Sequence, residues 1–221
     1  MDDAFLLRTP LFQGLSPTQL QAALPMLNAR QRAYRKHESI LHAGDHTTQM
    51  GLVLSGGVRI EHDDAWGGKS IFSFVEPGEM FAETYACLPD QTLMVTAVAA
   101  QDSRILFLDA QRLIAGARSD AGVNLMVGNL LRVSIRKNLE LSRRMLHTSA
   151  KTIRGRLLSY LSERALLAGG RRFSIPFNRQ QLADYLGVDR SALSHELSKM
   201  RRDGLLSFQR NTFILHGSPQ Q

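Results

Sequence analysis

The spacing of apolar residues changes several times along this chain. In the opening LFQGLSPTQL, Ser16 stands at an N-cap and Pro17 at the first helical position. Leu20, Leu24 and Leu27 follow on one face, so a short amphipathic helix is predicted. From Tyr34 to about Leu108 the apolar residues come in short or alternating runs: SILHAGD, MGLVLSGGVRIEH, KSIFSFVEPGEMF and MVTAVAAQDSRILFLD. Runs of that length, broken by Gly, Asp and Pro, predict an antiparallel sandwich or barrel. Gly56-Gly57, Gly67-Gly68 and Pro77-Gly78 supply its turns. From about Ser119 to Leu146 there is no proline and the period becomes helical. Val127, Leu131, Ser134, Asn138, Leu141 and Met145 recur in steps of four and three, as along a coiled-coil seam. A lone Asn in such a seam fixes register and favours two chains. The competing reading is a seam packed on this chain's own sandwich. Arg132, Arg136, Lys137, Arg143 and Arg144 flank the seam as a solvated face.

The last third reads as helix, strand, two short helices and a hairpin. Ala150 to Leu167 is helical, RRFSIPF gives a short strand, and LLSFQRNTFIL folds back about Arg210-Asn211. Between them, NRQQLADYLGVDRSALSHELSKMRRDGLL forms the helix pair. Leu182, Ala183 and Leu186 lie on the inner face of the first helix, and Gly187 permits the sharp turn. Asp189 caps the second helix, and Gly204 ends it. On that helix Leu193, Leu197 and Met200 share one side, while Ser191, His195, Ser198 and Arg202 share the other. A polar face on a short, well-anchored helix suits the major groove, which admits one helix and displays base edges.

Charge points the same way. Residues 1–146 hold 15 Lys/Arg against 15 Asp/Glu, and residues 147–221 hold 12 against 5, so the net +7 lies wholly in the last third. Duplex DNA is drawn to such a surface by counterion release. One cysteine, Cys87, excludes an internal disulfide and a multi-cysteine zinc or iron–sulfur site within the chain. No segment has the roughly 18–20 apolar residues of a membrane span, and the acidic N-terminus is not a secretory signal. A cytoplasmic location is expected. No Ser/His/Asp set, metal-ligand spacing or phosphate loop stands out, so no enzyme activity is expected.

The order of elements, with ILHAGD, LVLSGGV, PGEMFAE and RQQLADYLGVDRSALSHEL, resembles the cyclic-AMP receptor protein/FNR (Crp/Fnr) family of bacterial transcription regulators over essentially the whole chain. The resemblance implies an α+β fold: an N-terminal antiparallel β-roll of cyclic-nucleotide-binding jelly-roll type, a long dimerisation helix and a C-terminal winged helix-turn-helix. The corresponding domains are 1–117, 118–146 and 147–221. It implies a homodimer, joined by the 119–146 helix, on a palindromic operator, with recognition helices about 34 Å apart. RNA polymerase is a further partner in such a system. Carried over by position, Arg179 looks like a phosphate contact. Arg190, Ser191, Ser194 and His195 occupy base-reading places, with Ser198, Lys199 and Arg202 near the backbone. Many relatives have Glu at Ser191 and Arg at His195. A neutral His makes one bond where Arg grips guanine with two, so a different operator is expected.

Cyclic-nucleotide binders of this family hold the phosphate with a Gly-Glu pair and, about ten residues on, an Arg-Ser pair. Here the first reads Ala82-Glu83, and the second aligns with Leu93-Met94. Burying a phosphate against two apolar side chains is strongly unfavourable, so neither cyclic AMP nor cyclic GMP is the expected effector. An apolar or aromatic molecule lined by Met80, Phe81, Glu83, Leu93 and Met94 is one alternative. Haem sensing a diatomic gas and a responsive thiol at Cys87 are others, and no iron–sulfur cluster is expected. The function so read is a sequence-specific regulator controlled by a small effector. Its rivals are a haem- or thiol-based sensor of redox or nitrosative stress, and a ligand-binding module that controls a partner protein.

Overall fold

The computed structural model describes residues 2–63, 69–116 and 120–216. The expected Gly67-Gly68 turn lies outside them. The chain forms two compact units, Met1–Arg136 and Lys137–Gln221.

In the first unit, α1 (Asp3–Leu6) and α2 (Pro17–Met26) precede eight strands. Ser16 caps α2, as the local sequence predicts, and Gln19 closes a reciprocal capping box with it. The strands are β1 (Arg30–Tyr34), β2 (Ser39–Leu41), β3 (Gln49–Ser55), β4 (Val58–Asp63), β5 (Lys69–Val75), β6 (Met80–Phe81), β7 (Thr96–Ala99) and β8 (Ser103–Asp109). They form two antiparallel four-stranded sheets, ordered β1-β8-β3-β6 and β2-β7-β4-β5. The short helices α3 (Glu83–Cys87) and α4 (Ala110–Ala115) complete the sandwich.

Alternation in β8 shows how the two cores divide. Ile105 and Phe107 point between the sheets, where they meet Val53, Val58, Phe81 and Ala99. Leu106 and Leu108 point the opposite way, with Met50, Leu52 and Met80, into a second core roofed by Leu11, Phe12 and Leu20. A strand buried on both faces reads as a continuous apolar run, which is why RILFLD shows no alternation. Its neighbour β1 is the reverse: RQRAY is exposed at four of five positions, a polar edge strand that apolar periodicity does not detect.

Helix α5 (Ala121–Thr148) begins in the first unit and ends in the second. The Asp120 carboxylate caps it by accepting from the Gly122 and Val123 amides at 2.7 and 3.1 Å. Val123, Met126 and Leu130 enter the helix-side core, so part of α5 does pack on the chain's own sandwich. The Asn that this packing buries is Asn129. Its amide donates to the Leu11 and Gln13 carbonyls at 3.0 and 2.8 Å and accepts from Arg132 at 2.9 Å. Asn138 is exposed, as are its seam neighbours Leu131 (58%), Leu141 (66%) and Met145 (71%).

The second unit holds α6 (Ile153–Leu167), β9 (Arg172–Ser174), α7 (Arg179–Leu186), α8 (Arg190–Arg202), β10 (Leu206–Gln209) and β11 (Thr212–Leu215). The strands make one antiparallel sheet, β10-β11-β9. Leu157, Leu161, Leu182, Leu186, Leu193, Leu197 and Phe213 share its core. The architecture is a winged helix.

Candidate nucleic-acid interface

Local sequence sets the helix pair. Asn178 and Gln181 form a capping box at the start of α7, and α7 ends on Gly187 at φ 63, a left-handed cap that glycine adopts without steric cost. Asp189 accepts from the Ala192 amide at 2.8 Å and starts α8. Its carboxylate sits below its usual pKa because the Ser191 hydroxyl and the helix amides donate to it. Leu193, Leu197 and Met200 are fully buried, while Arg190, Ser191, His195, Lys199 and Arg202 are exposed. Ser191, His195, Lys199 and Arg202 therefore share the face opposite the buried one, and Arg190 stands exposed at the N-terminal end of the helix.

The remaining three stand differently. The Ser194 and Ser198 hydroxyls donate to the Arg190 and Ser194 carbonyls one turn back, each at 2.9 Å, and both residues are half-buried. Their hydroxyl hydrogens are committed to the helix itself. Arg179 is half-buried, with its guanidinium over the rings of Phe208 and Phe213.

Residues that local patterns do not reveal hold the pair in place. Arg154 at the start of α6 contacts Glu196 of α8 and Asp203 just beyond it, each at 2.6 Å. Arg144 donates to the Asp184 and Tyr185 carbonyls, both at 3.0 Å. Arg156 donates to those of Leu186 and Gly187 at 2.9 and 3.1 Å. Two guanidinium groups thus donate to the four carbonyls from Asp184 to Gly187, at the helix end where carbonyls lack their usual amide partners. These partners lie 30 to 49 positions apart in sequence, so no short-range signal announces them.

The expected effector residues are dispersed. Phe81 sits between the two sheets, its ring against Gly51, where even a Cβ would fall 2.3 Å from it. Met80 points into the helix-side core. Glu83 and Leu93 are buried, whereas Met94 is 71% exposed. Ala82 caps α3 at φ 59 in the left-handed region. Burial and the neighbouring Glu83 push the Cys87 thiol above its ordinary pKa. A raised pKa keeps the sulfur protonated and weakly nucleophilic. Among the described residues no group of three potential metal ligands gathers, and no helix is long and apolar enough to cross a membrane.

The fold and this helix face define a transcription regulator with a ligand-sensing sandwich and a DNA-binding winged helix. The family model for the Cyclic nucleotide-binding domain matches residues 31–120, and that for the Crp-like helix-turn-helix domain matches residues 155–217. The chain belongs to the Crp/Fnr family, whose members are regulators and not enzymes. It is 27% identical over 198 residues to the Cyclic AMP receptor protein of Thermus thermophilus, covering 90% of this chain and 88% of that one. It is 25% identical to the Transcriptional activator protein FnrA of Stutzerimonas stutzeri, covering 83% and 75%. The crystal structure of the Thermus thermophilus Catabolite Activator Protein superposes with a TM-score of 0.52 at 26% identity, covering 94% of each chain.

Proposed function

We propose that two copies of this chain bind a two-fold symmetric operator, each laying α8 in a major groove. The observation that carries this is the division of α8 itself: Leu193, Leu197 and Met200 are fully buried, Ser191 and His195 are exposed on the opposite side, and Arg190 is exposed at the N-terminal end. In this reading Arg190 and His195 read base edges, Ser191 contributes through a hydroxyl shared with Asp189, and Lys199 and Arg202 approach phosphates. The exposed Leu131, Leu141 and Met145 supply the apolar stripe that a second α5 would cover.

The effector in this reading is not a cyclic nucleotide. A phosphodiester needs a cationic partner when buried, and Leu93 is both apolar and buried where one would stand. Phe81 is buried among the side chains between the sheets. The raised pKa of Cys87 gives no support to a thiol sensor.

Selection of duplexes from a random pool by the full-length chain, followed by footprinting, tests the proposal. A protected palindrome with half-sites one helical turn apart is expected. Enrichment of no sequence, or protection of one isolated half-site, overturns it.

A further inference from the structure

Arg179 opens α7, yet its guanidinium is turned onto the wing. Cζ lies 4.8 Å from the centre of the Phe208 ring and 5.3 Å from that of Phe213, and Nη2 donates to the Arg210 carbonyl at 3.1 Å. Nη1 is buried without a hydrogen-bond partner. Burial also lowers the pKa of the group from its ordinary value. A guanidinium that grips phosphate keeps its planar fork open to the ligand. This one rests on two rings and a backbone carbonyl, the contacts of a brace.

What it braces is the tip of the β10–β11 hairpin. Gln209 pairs with Thr212, so Arg210 and Asn211 form a two-residue turn, and Arg210 sits at φ 54. That left-handed position is the one glycine fills at least cost. An arginine there strains the backbone and sets an exposed cation at the end of the wing. Arg201, exposed on α8, also lies over the Phe208 ring at 5.3 Å. Phe208 therefore ties the wing to both helices of the pair.

We propose that Arg179 is a positioning residue that does not itself hold DNA but fixes the wing, so that Arg210 meets a backbone phosphate beside the groove α8 enters. This rests on the DNA-reading assignment above, and the test separates the two.

The full-length chain is titrated against a labelled duplex that it has itself selected and an unselected duplex of equal length, over a range of salt. Each phosphate contact steepens the plot of log affinity against log salt by about 0.9. Arg210→Gly is expected to weaken binding to both duplexes alike, by roughly tenfold, and to flatten the slope by about one. Its thermal midpoint is expected to be no lower than that of the parent chain, because the strained turn is relieved. Arg179→Ala is expected to flatten the slope by the same amount, and the double variant no further. Arg179→Met, which keeps an unbranched apolar stem against the two rings, serves if the alanine variant does not fold. A double variant flatter by about two shows that Arg179 has its own phosphate, and overturns the proposal. So does an unchanged slope in Arg210→Gly. If the parent chain prefers no sequence and shows no salt dependence, the DNA-reading assignment itself fails.

Discussion

The phenol of Tyr185 lies 2.8 Å from Nδ1 of His147, joining α7 to the last turn of α5 through an imidazole that is only 1% exposed. The other nitrogen of His147 is 3.0 Å from Glu163 of α6, which also meets Arg143 at 3.3 Å. Tyr160 packs edge-on at 5.4 Å. The neutral ring suits this site: Nδ1 can accept from the phenol, and Nε2 is buried beside the carboxylate without a hydrogen bond of its own. A protonated ring would have no lone pair to offer the phenol.

Burial holds the His147 pKa below its ordinary value, outweighing Glu163, which pulls it up. The unfolded chain therefore takes up the proton at a higher pH than the folded one. The stability that neutral His147 contributes is fully present above about pH 6.5 and is lost as pH falls below it toward the depressed folded value. Amide exchange in α6 and α7, corrected for intrinsic rates, is expected to accelerate between pH 7 and pH 5 in the parent chain. His147→Gln, which keeps an acceptor but cannot titrate, is expected to flatten that change. Parallel profiles for the two proteins would contradict it.

Ala82 holds a left-handed conformation at the head of α3, φ 59, with no side-chain cap. A non-glycine residue in that region costs on the order of 1 kcal/mol. Ala82→Gly is expected to stabilise the first unit by roughly that amount, less the greater freedom glycine has when unfolded. Urea titration measures it, and a lower midpoint would refute it. If the effector is not a cyclic nucleotide, as proposed, neither the parent chain nor this variant is expected to bind cyclic AMP, because Leu93 supplies no cation. Calorimetric titration with cyclic AMP checks that outcome.

Much of this molecule is legible in its sequence because the signals are local. Ser16, Pro17, Asp189 and Gly187 mark helix ends within a turn, and Leu193, Leu197 and Met200 mark a buried face by spacing alone. β1 escapes the same reasoning because an edge strand need not alternate. The buried Asn of α5 also escapes it. Periodicity singles out Asn138, whereas the partners that bury Asn129 are carbonyls more than a hundred positions away. Arg179 shows a further limit: its place in the motif gives no sign of Phe208 in β10 and Phe213 in β11, over whose rings its guanidinium lies.

Asn129 is expected to matter more for stability than its polar character suggests. Asn129→Ala leaves the Leu11 and Gln13 carbonyls without the donor they now share and removes the acceptor of Arg132. Losing the partner of a buried polar group costs about 1–3 kcal/mol. Denaturant unfolding of the first unit is the measurement. A change under 0.5 kcal/mol, the usual range for surface substitutions, would show that water replaces the amide there.

The exposed seam on α5 makes a separate prediction. Leu141 is 66% exposed within one chain, so Leu141→Glu is expected to fold normally. Placed opposite its own symmetry mate, however, two carboxylates would meet on an apolar stripe, where like charges repel and desolvation is costly. Sedimentation is expected to shift from dimer toward monomer, with weaker binding to the palindrome and unchanged helix content. A dimer of undiminished stability would place the contact elsewhere.

Arg190 decides whether α8 reads sequence or only charge. It is the first residue of the helix, exposed, and one position beyond the Asp189 cap, where a recognition helix points its N-terminal residues at base edges. An arginine there can donate two parallel hydrogen bonds to a guanine edge, a pattern no other base presents in the major groove. Arg190→Ala is therefore expected to cost about 1–3 kcal/mol on the selected operator and almost nothing on an unselected duplex. Repeating the selection with the variant should show relaxed preference at one position of each half-site. Lys199→Ala provides the contrast: it is expected to weaken both duplexes equally and to reduce the salt slope by about one. If Arg190→Ala instead behaved like Lys199→Ala, the first residue of α8 would be a phosphate anchor, and base reading would fall to His195 and Ser191 alone.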